Sequence, residues 1–290
     1  MRPQFLNLAH SSFLLFLNNY ILKRGSGVAP VSSKFYPIGQ SINGVYTYAA
    51  PYQPIVYDSS ICQPMTGVYI NSQPIQRGVS GFIDINYQKG EVYFNNNVNQ
   101  YQVSGDYMVA EIQVLPLTVS EEKLLLETKF NLRNKTTQTL SGLNSDSYTY
   151  PSIYVKGFKS DNTPYAFGGE ELSDTTIGLF LLMSNSYQLD AIKSILTDME
   201  QELVPFLTQD QFPFDIYGGF KNTGSNFNYD TLKTTYLNAN SGMYVKDVVV
   251  NTYVRQYESE TKSLNPDVYW ALADITICKT RFPRNIDNNL

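Results

Sequence analysis

The chain has 290 residues, enough for one large domain or two ordinary ones with a well-buried core. Hydrophobic residues make up 42% of it and charged residues 16%, a balance that excludes a disordered chain. The net charge of -5 and the lack of a Lys/Arg block disfavour a protein that reads nucleic-acid sequence. Polarity comes mainly from amide and hydroxyl side chains and 23 tyrosines, a composition that favours β-rich surfaces and protein–protein contact.

The N-terminal stretch predicts an amphipathic helix. Apolar residues that recur there at three- and four-residue spacing, and so share one helical face, are Leu6, Ala9, Phe13, Phe16 and Tyr20. The stretch is too short and too polar to span a bilayer, and it shows no cleavage site of a secretory signal. We expect residues 1–28 to form a helix that ends near Gly25 and Gly27 and packs on the body or on a neighbouring subunit.

Residues 45–117 predict a small antiparallel β domain, which follows a connecting loop over Ala29–Gly44. Its short extended runs are bounded by turn residues and read VYTY, PIVYD, GVYI, FIDINY, EVYF and YMVAEIQVL. The run FIDINYQKGEVYF predicts a hairpin whose turn depends on a positive φ at Gly90. Asp84, Asn86 and Glu91 lack the spacing of a calcium loop, so we expect them to face solvent or a neighbouring subunit.

Residues 118–290 predict an α+β domain. Thr118 opens a capping box before a short helix, and residues 131–150 predict a loop-rich segment. The runs IYVKGF and TIGLFLLMS predict strands, a helix is expected from Ser186 to Pro205, and two long strands follow. The residues expected on the inner face of that helix are Leu189, Ile192, Ile195, Leu196, Met199 and Leu203. The fold class is therefore α+β: the N-terminal helix, a small antiparallel β unit, and a mixed or antiparallel sheet with helices packed on one face.

Few residues in the chain suit catalysis or metal binding. His10 is the only histidine, so Ser/His/Asp and Cys/His arrangements and histidine-based metal sites have no support. Cys62 and Cys278 do not form a CxxC pair; Cys278 is expected to be a buried strand thiol, and a disulfide between the two stays open. We predict a protein that is not an enzyme, with no catalytic residue, no cofactor and no metal site.

The best acidic cluster lies in GGEELSD, with Glu170, Glu171 and Asp174. A loop followed by the start of a strand or helix explains these residues. Two carboxylates are also what a glycosidase needs, so a cation site or a carbohydrate site is the alternative interpretation. Together with abundant Tyr and the single Trp270, the cluster defines the alternative function, a glycan-binding or glycan-cleaving module. The alternating run around Trp270 predicts a core position for that side chain.

A resemblance to a known class of proteins covers most of the chain. The run GVYINSQPIQRGVSGFIDINYQKGEVYF, followed by SGDYMVAEIQVLP, resembles β-rich segments of tailed-bacteriophage virion proteins, in which a short hairpin often precedes an extended strand. The runs PSIYVKGF, ELVPFL, FPFDIYGGFKNTGSNFNYD and WALADITICKTRFPR are similar to the remainder of such structural proteins from the neck or tail. The resemblance carries over no catalytic or ligand residue.

The resemblance implies a non-enzymatic connector, neck or tail-completion subunit that forms an oligomer, as a ring or collar. Its partners would be further copies of the chain and other virion proteins of the neck, portal or tail, with no sequence-specific nucleic acid and no membrane. It would be assembled in the host cytoplasm and reside in the virion.

Overall fold

The structure is a computed structural model that describes residues 5–40, 44–52, 54–62, 67–98, 102–117, 129–132, 147–165, 169–214, 219–221, 227–238, 242–251 and 269–281. The helices are α1 (Phe5–Gly25), α2 (Ser186–Thr197) and α3 (Tyr229–Asn238), with a 3-10 turn at Gln209–Gln211. The first eight strands are β1 (Val28–Lys34), β2 (Tyr36–Gln40), β3 (Tyr46–Ala49), β4 (Gly67–Ile70), β5 (Gln73–Ile75), β6 (Phe82–Asn86), β7 (Glu91–Phe94) and β8 (Val103–Ala110). The others are β9 (Gln113–Pro116), β10 (Lys129–Leu132), β11 (Ser147–Tyr150), β12 (Ser152–Pro164), β13 (Glu171–Met183), β14 (Leu203–Pro205), β15 (Gly242–Asn251) and β16 (Tyr269–Arg281). The described elements are mostly strands, with three helices, which is compatible with the predicted α+β class.

The first eight strands form two four-stranded antiparallel sheets, in the orders β1-β8-β4-β5 and β2-β3-β7-β6. Side chains from both sheets, among them Val68, Phe94 and Val109, share one core. The connecting loop predicted over Ala29–Gly44 is wrong, because β1 and β2 lie there and are separated only by buried Phe35. Pro30 and Pro37 discouraged a strand assignment, but both strands lie at sheet edges, where a missing backbone N–H is tolerated.

The remaining long strands form a six-stranded sheet in the order β14-β15-β16-β13-β12-β9. All pairs in this large sheet are antiparallel except β9 with β12, so the predicted mixed sheet is confirmed. The predicted single run YMVAEIQVL instead breaks after Ala110 into β8 and β9, which belong to different sheets. A separate parallel pair joins β10 to β11. The domain boundaries at residues 28, 45 and 117 stay predictions.

Helices α1 and α2 cover one face of the large sheet. Ile177 and Leu179 of β13 join the core that α1 and α2 also line, and we call this the inner face. Phe180 and Leu182 project from the other, outer face, together with Trp270. Trp270 stacks on Phe180 at 5.9 Å between ring centroids but is only partly buried, so it packs against this outer cluster rather than in the core that the alternating run predicts. The predicted placement of helices on one face is therefore confirmed for α1 and α2.

Helix α1 ends at Gly25, as predicted, but it is not amphipathic. Phe13, Phe16 and Tyr20 are buried, and so are Leu15 and Leu22, which lie on the opposite side of the helix. The second side packs against the small β unit, where Leu22 contacts the cluster of Val56 and Ala110. The apolar face predicted from the three- and four-residue spacing is thus only one of two contact surfaces, because α1 lies between the large sheet and the small β unit. Within the described ranges, no helix has the length and apolar character needed to cross a bilayer.

Helix α2 is shorter than predicted. It ends at Thr197, and the chain reverses at Gln201, whose φ is 69°. Gln201 donates its backbone N–H to Val245, and Leu203–Pro205 then pairs with β15 as β14. Sheet pairing therefore overrides the helical pattern, and Leu203 is exposed rather than on an inner helix face.

Two further differences concern helices. Helix α3 was not predicted, although Asn228 caps it by accepting the backbone N–H of Thr231 at 2.9 Å. The helix predicted from Thr118 falls outside the described residues, except that Lys129 and Phe130 belong to β10. The predicted loop-rich segment 131–150 also lies largely outside them and includes β11.

Candidate functional site

Strand register places four polar side chains next to one another on the outer face of the large sheet. Tyr244 pairs with Cys278, Cys278 with Asp174, and Asp174 with Asp161, across β15, β16, β13 and β12. Directly opposed residues of antiparallel strands project to the same face, with Cβ atoms about 5 Å apart. We call these four residues the polar row.

A β-bulge adds a cation to the polar row. The register of β15 and β16 shifts between Val245 and Asp247, so Lys246 is an extra residue that a regular strand would not accommodate. Its Nζ donates to Oδ2 of Asp174 at 2.6 Å, and the two side chains are 46% and 26% exposed. Asp161 has its own cation, because Lys159 lies 2.7 Å from its Oδ2. Both carboxylates of the row are therefore charge-compensated.

Tyr244, Cys278 and Asp174 of the polar row interact in sequence, and Lys246 joins them at Asp174. The Tyr244 hydroxyl donates to the Cys278 sulfur, and this bond, with partial burial, raises the pKa of Tyr244 to about 12. Burial, and donation of the thiol proton to Asp174, raise the pKa of Cys278 to about 11. Burial would raise the pKa of Asp174, but the bonds from Cys278 and Lys246 and the ammonium charge outweigh it and lower that pKa. Hydrogen bonding to Asp174 raises the pKa of Lys246.

These pKa shifts leave the Cys278 thiol of the polar row unreactive as a nucleophile at neutral pH. At neutral pH Cys278 is a thiol, Tyr244 a phenol, Asp174 a carboxylate and Lys246 an ammonium group, and a protonated thiol is a poor nucleophile. The side chains around Cys278 therefore do not activate its thiol. Cys278 is fully buried, which confirms the prediction of a buried strand thiol. Cys62 and Cys278 are both free, so no disulfide joins them.

His10 lies on the inner side of the large sheet, away from the polar row. Burial lowers its pKa, although a hydrogen bond to the carbonyl of Val155 partly opposes the shift. Its imidazole ring packs close to Gly157 of β12. A Cβ on that glycine would lie 3.4 Å from the ring. Its Nε2 is buried and, among the described residues, has no hydrogen-bond partner. His10 therefore packs against β12 of the large sheet.

The structure does not bring the predicted acidic cluster together. Glu171 begins β13 and pairs in register with Arg281, with 3.9 Å between its carboxylate and the guanidinium group. Asp174 lies three residues further along the strand and so projects from the opposite face, towards Lys246. Glu170 precedes the strand, and its carbonyl accepts the backbone N–H of Tyr165. The described residues contain no group of three or more His, Cys, Asp or Glu side chains that could hold a metal ion.

The hairpin of β6 and β7 is confirmed, and Gly90 adopts the predicted positive φ, at 64°. The predicted exposure of Asp84 is wrong, because its side chain is only 8% exposed and Arg77 lies 2.6 Å from its Oδ2. Arg77 also donates to the backbone carbonyls of Ile83 and Phe220, so the ion pair links the hairpin to a distant segment. A bulge between Phe82 and Asp84 accompanies this inward orientation.

The other two hairpin residues have local roles. Asn86 accepts the backbone N–H of Lys89 at 3.0 Å and so stabilises the turn. Glu91 accepts the hydroxyl of Tyr93 at 2.7 Å. Burial and this bond raise the pKa of Tyr93.

Asp58 is a buried carboxylate that the sequence did not single out. Its Oδ2 accepts Nδ2 of Asn19 on α1 at 2.7 Å. Its Oδ1 accepts the backbone N–H groups of Ser60 and of Tyr229, at 2.9 and 3.1 Å. Because Tyr229 begins α3, the carboxylate also lies where a helix N-terminus favours negative charge. The run Asp58-Ser59-Ser60 is a weak sequence signal of a turn in which the Asp side chain accepts a nearby backbone N–H. Nothing in the local sequence indicates that Asp58 also joins α1 to α3.

Comparison with known proteins does not extend this description. The chain matches no protein-family model, and a search of curated proteins gave no match.

Proposed function

We propose that the chain is a structural subunit of a tailed-bacteriophage virion, in a ring at the neck or head-tail junction, that acts through oligomeric assembly rather than catalysis. Its partners would be further copies of itself and neighbouring neck, portal or tail proteins, and it would be assembled in the host cytoplasm. The virion assignment depends on the resemblance of the segments quoted above.

One structural feature carries the assembly part of this proposal. Strand β14 pairs only with Gly242–Tyr244 of β15, and the backbone before β14 bonds to Val245. Beyond that point, among the described residues, no strand pairs with the outward side of β15. We call Lys246–Asn251 the open edge. Unpaired strand edges are templates for pairing with another chain, so this edge suits a protein that works by assembly.

The polar groups of the large sheet also favour assembly over catalysis. The thiol of Cys278 is protonated at neutral pH, and the carboxylate of Asp174 is paired with Lys246. A catalytic acid, base or nucleophile needs a pKa near the working pH, and these groups are shifted away from it.

The alternative, a glycan-binding or glycan-cleaving module, has weaker support. Glu171 and Asp174 project from opposite faces of β13, so they do not form the facing pair that a glycosidase uses. Trp270 stacks on Phe180 and is partly buried rather than presented to a sugar. A panel of glycans that showed specific binding or turnover, abolished by Asp174→Asn, would favour this alternative.

Quantitative mass spectrometry of purified phage particles tests the proposal. We expect the chain at a fixed number of copies per particle, with immunogold or tag labelling confined to the neck or tail. Host proteins quantified in the same preparation give the level of contamination. A chain found only at that level would refute a virion role.

A further inference from the structure

The open edge differs from the outermost strands of the three larger sheets and from Gly157–Pro164 of β12. That stretch of β12 also lacks a strand on its outward side among the described residues, but it carries a bulge, charged side chains and Pro164. Natural edge strands avoid aggregation by carrying prolines, bulges or inward-pointing charges. Five edge strands here contain a proline: Pro30 in β1, Pro37 in β2, Pro74 in β5, Pro116 in β9 and Pro205 in β14. The sixth, β6, has a bulge and the buried carboxylate of Asp84. The open edge has its bulge only at the start and then continues as Asp247-Val248-Val249-Val250-Asn251.

The three valines are partly available to a partner. Val249 is 44% exposed and pairs with Asp274, so it projects from the outer face. Val248 and Val250 are half-buried and pack against the inner core. A strand added here would therefore extend the large sheet and also cover apolar side chains on both of its faces.

The sequence of the open edge is complementary to itself when two copies run antiparallel. With Val249 on a two-fold axis, Val248 lies opposite Val250 of the second copy and Asp247 lies opposite Asn251. Each apolar residue then meets an apolar residue, and the single carboxylate meets an amide rather than a like charge. Like charges directly opposite each other would destabilise such a pair, and this register has none.

We propose that the open edge binds the same edge of a second copy of this chain, antiparallel and centred on Val249, to form one continuous sheet. This rests on the proposed function, since it names a contact that the assembly would use. A contact of this kind is self-complementary and has two-fold symmetry. A larger ring would need a second, different contact as well.

Charge substitution at Val249 tests the pairing in the full chain. In Val249→Lys and Val249→Glu, each self-pair places two like charges opposite each other. We expect the dissociation constant from sedimentation velocity to rise about tenfold or more in each variant. An equal mixture of the two variants should associate again, because lysine then faces glutamate. Val79→Lys is the matched control, since Val79 is 51% exposed and lies in the turn before β6; it should associate as the wild type does.

The mixture separates edge pairing from loss of folding, because two misfolded variants would not restore each other. The proposal is overturned if the wild type remains monomeric at the highest concentration reached, if Val249→Lys associates like the wild type, or if the mixture does not recover. An odd number of wild-type copies per particle would also overturn it.

The two proposals fail in different experiments. If the chain is present in virions but associates independently of Val249, the structural role stands and the edge contact fails. If Val249 controls association but the chain is absent from virions, the edge contact stands and the virion role fails.

Discussion

Asp84 and Asp174 are both strand carboxylates, and both lie 2.6 Å from a cationic nitrogen. Their surroundings differ. Asp84 is 8% exposed and is held between Arg77 and the segment around Phe220, whereas Asp174 is 26% exposed on the outer face of a sheet. Water can replace a lost partner at Asp174 but hardly at Asp84. The ion pair at Asp84 therefore connects the hairpin to the segment around Phe220. The ion pair at Asp174 mainly neutralises the charge of one partly exposed carboxylate.

The largest effect is expected for Arg77→Leu. It leaves the buried Asp84 carboxylate without its cation and also removes two bonds to backbone carbonyls. We expect a loss of about 3 kcal/mol in the free energy of unfolding, measured by urea denaturation. The control is Lys159→Leu, whose partner Asp161 is 60% exposed. Equal losses in the two variants would show that burial does not govern these ion pairs.

Gly90→Val should have the next largest effect. Gly90 has a φ of 64°, in the left-handed region that a β-branched side chain tolerates poorly. We expect a loss of about 2 kcal/mol in the free energy of unfolding, because the turn that positions β6 and Asp84 becomes strained. Gly27→Val is a control, since Gly27 has no positive φ and its nearest Cβ neighbour is at 3.7 Å. Unchanged stability in Gly90→Val would contradict the turn geometry.

His10 should make stability depend on pH, a smaller effect that comes from the inner face of the large sheet. Burial lowers its pKa below 6.5, so the unfolded chain binds a proton that the native chain resists. Its contribution to stability is complete above pH 6.5 and is lost as the pH falls from there through the folded pKa. Thermal melts from pH 8 to pH 5 should show this decline, and His10→Gln should flatten it. An identical decline in the variant would assign it to other groups.

Lys246→Met should have the smallest effect on stability. Asp174 keeps access to water, so we expect a loss clearly below that of Arg77→Leu. Since the pKa of Asp174 is lowered in the folded state, its contribution is present above about pH 4 and lost as the pH falls through the folded pKa. The variant should therefore lose less stability than the wild type on acidification. A loss as large as that of Arg77→Leu would remove the distinction between the two carboxylates.

Much of the sheet structure was predictable from local pattern. The runs GVYI and EVYF are β4 and β7. Gly90 correctly marked the turn between β6 and β7. The buried run TIGLFLLMS lies within β13 and the alternating run around Trp270 within β16. These segments succeed because the period of hydrophobic residues reports which side of a strand is buried, whatever the partner is.

The failures share a cause, which is competition from distant partners. The helix predicted up to Pro205 stops at Thr197 because Leu203–Pro205 pairs with β15. Asp84 was predicted to face solvent or a neighbouring subunit. That prediction failed because its cation Arg77 and the nearby Gly219 lie outside the hairpin sequence. The two-sided burial of α1 depends on a second layer that its own sequence does not describe.

The sequence by itself therefore determined a fold of many strands with helices on one face, the hairpin at residues 82–94, the end of α1 at Gly25 and the presence of a single histidine. Only the tertiary structure decided that Tyr244, Cys278, Asp174 and Asp161 form one row and that Lys246–Asn251 is left as an open edge. The physical reason is that a local pattern fixes which face of a segment is buried. The neighbour of each side chain is instead set by the register between strands that lie far apart in the chain.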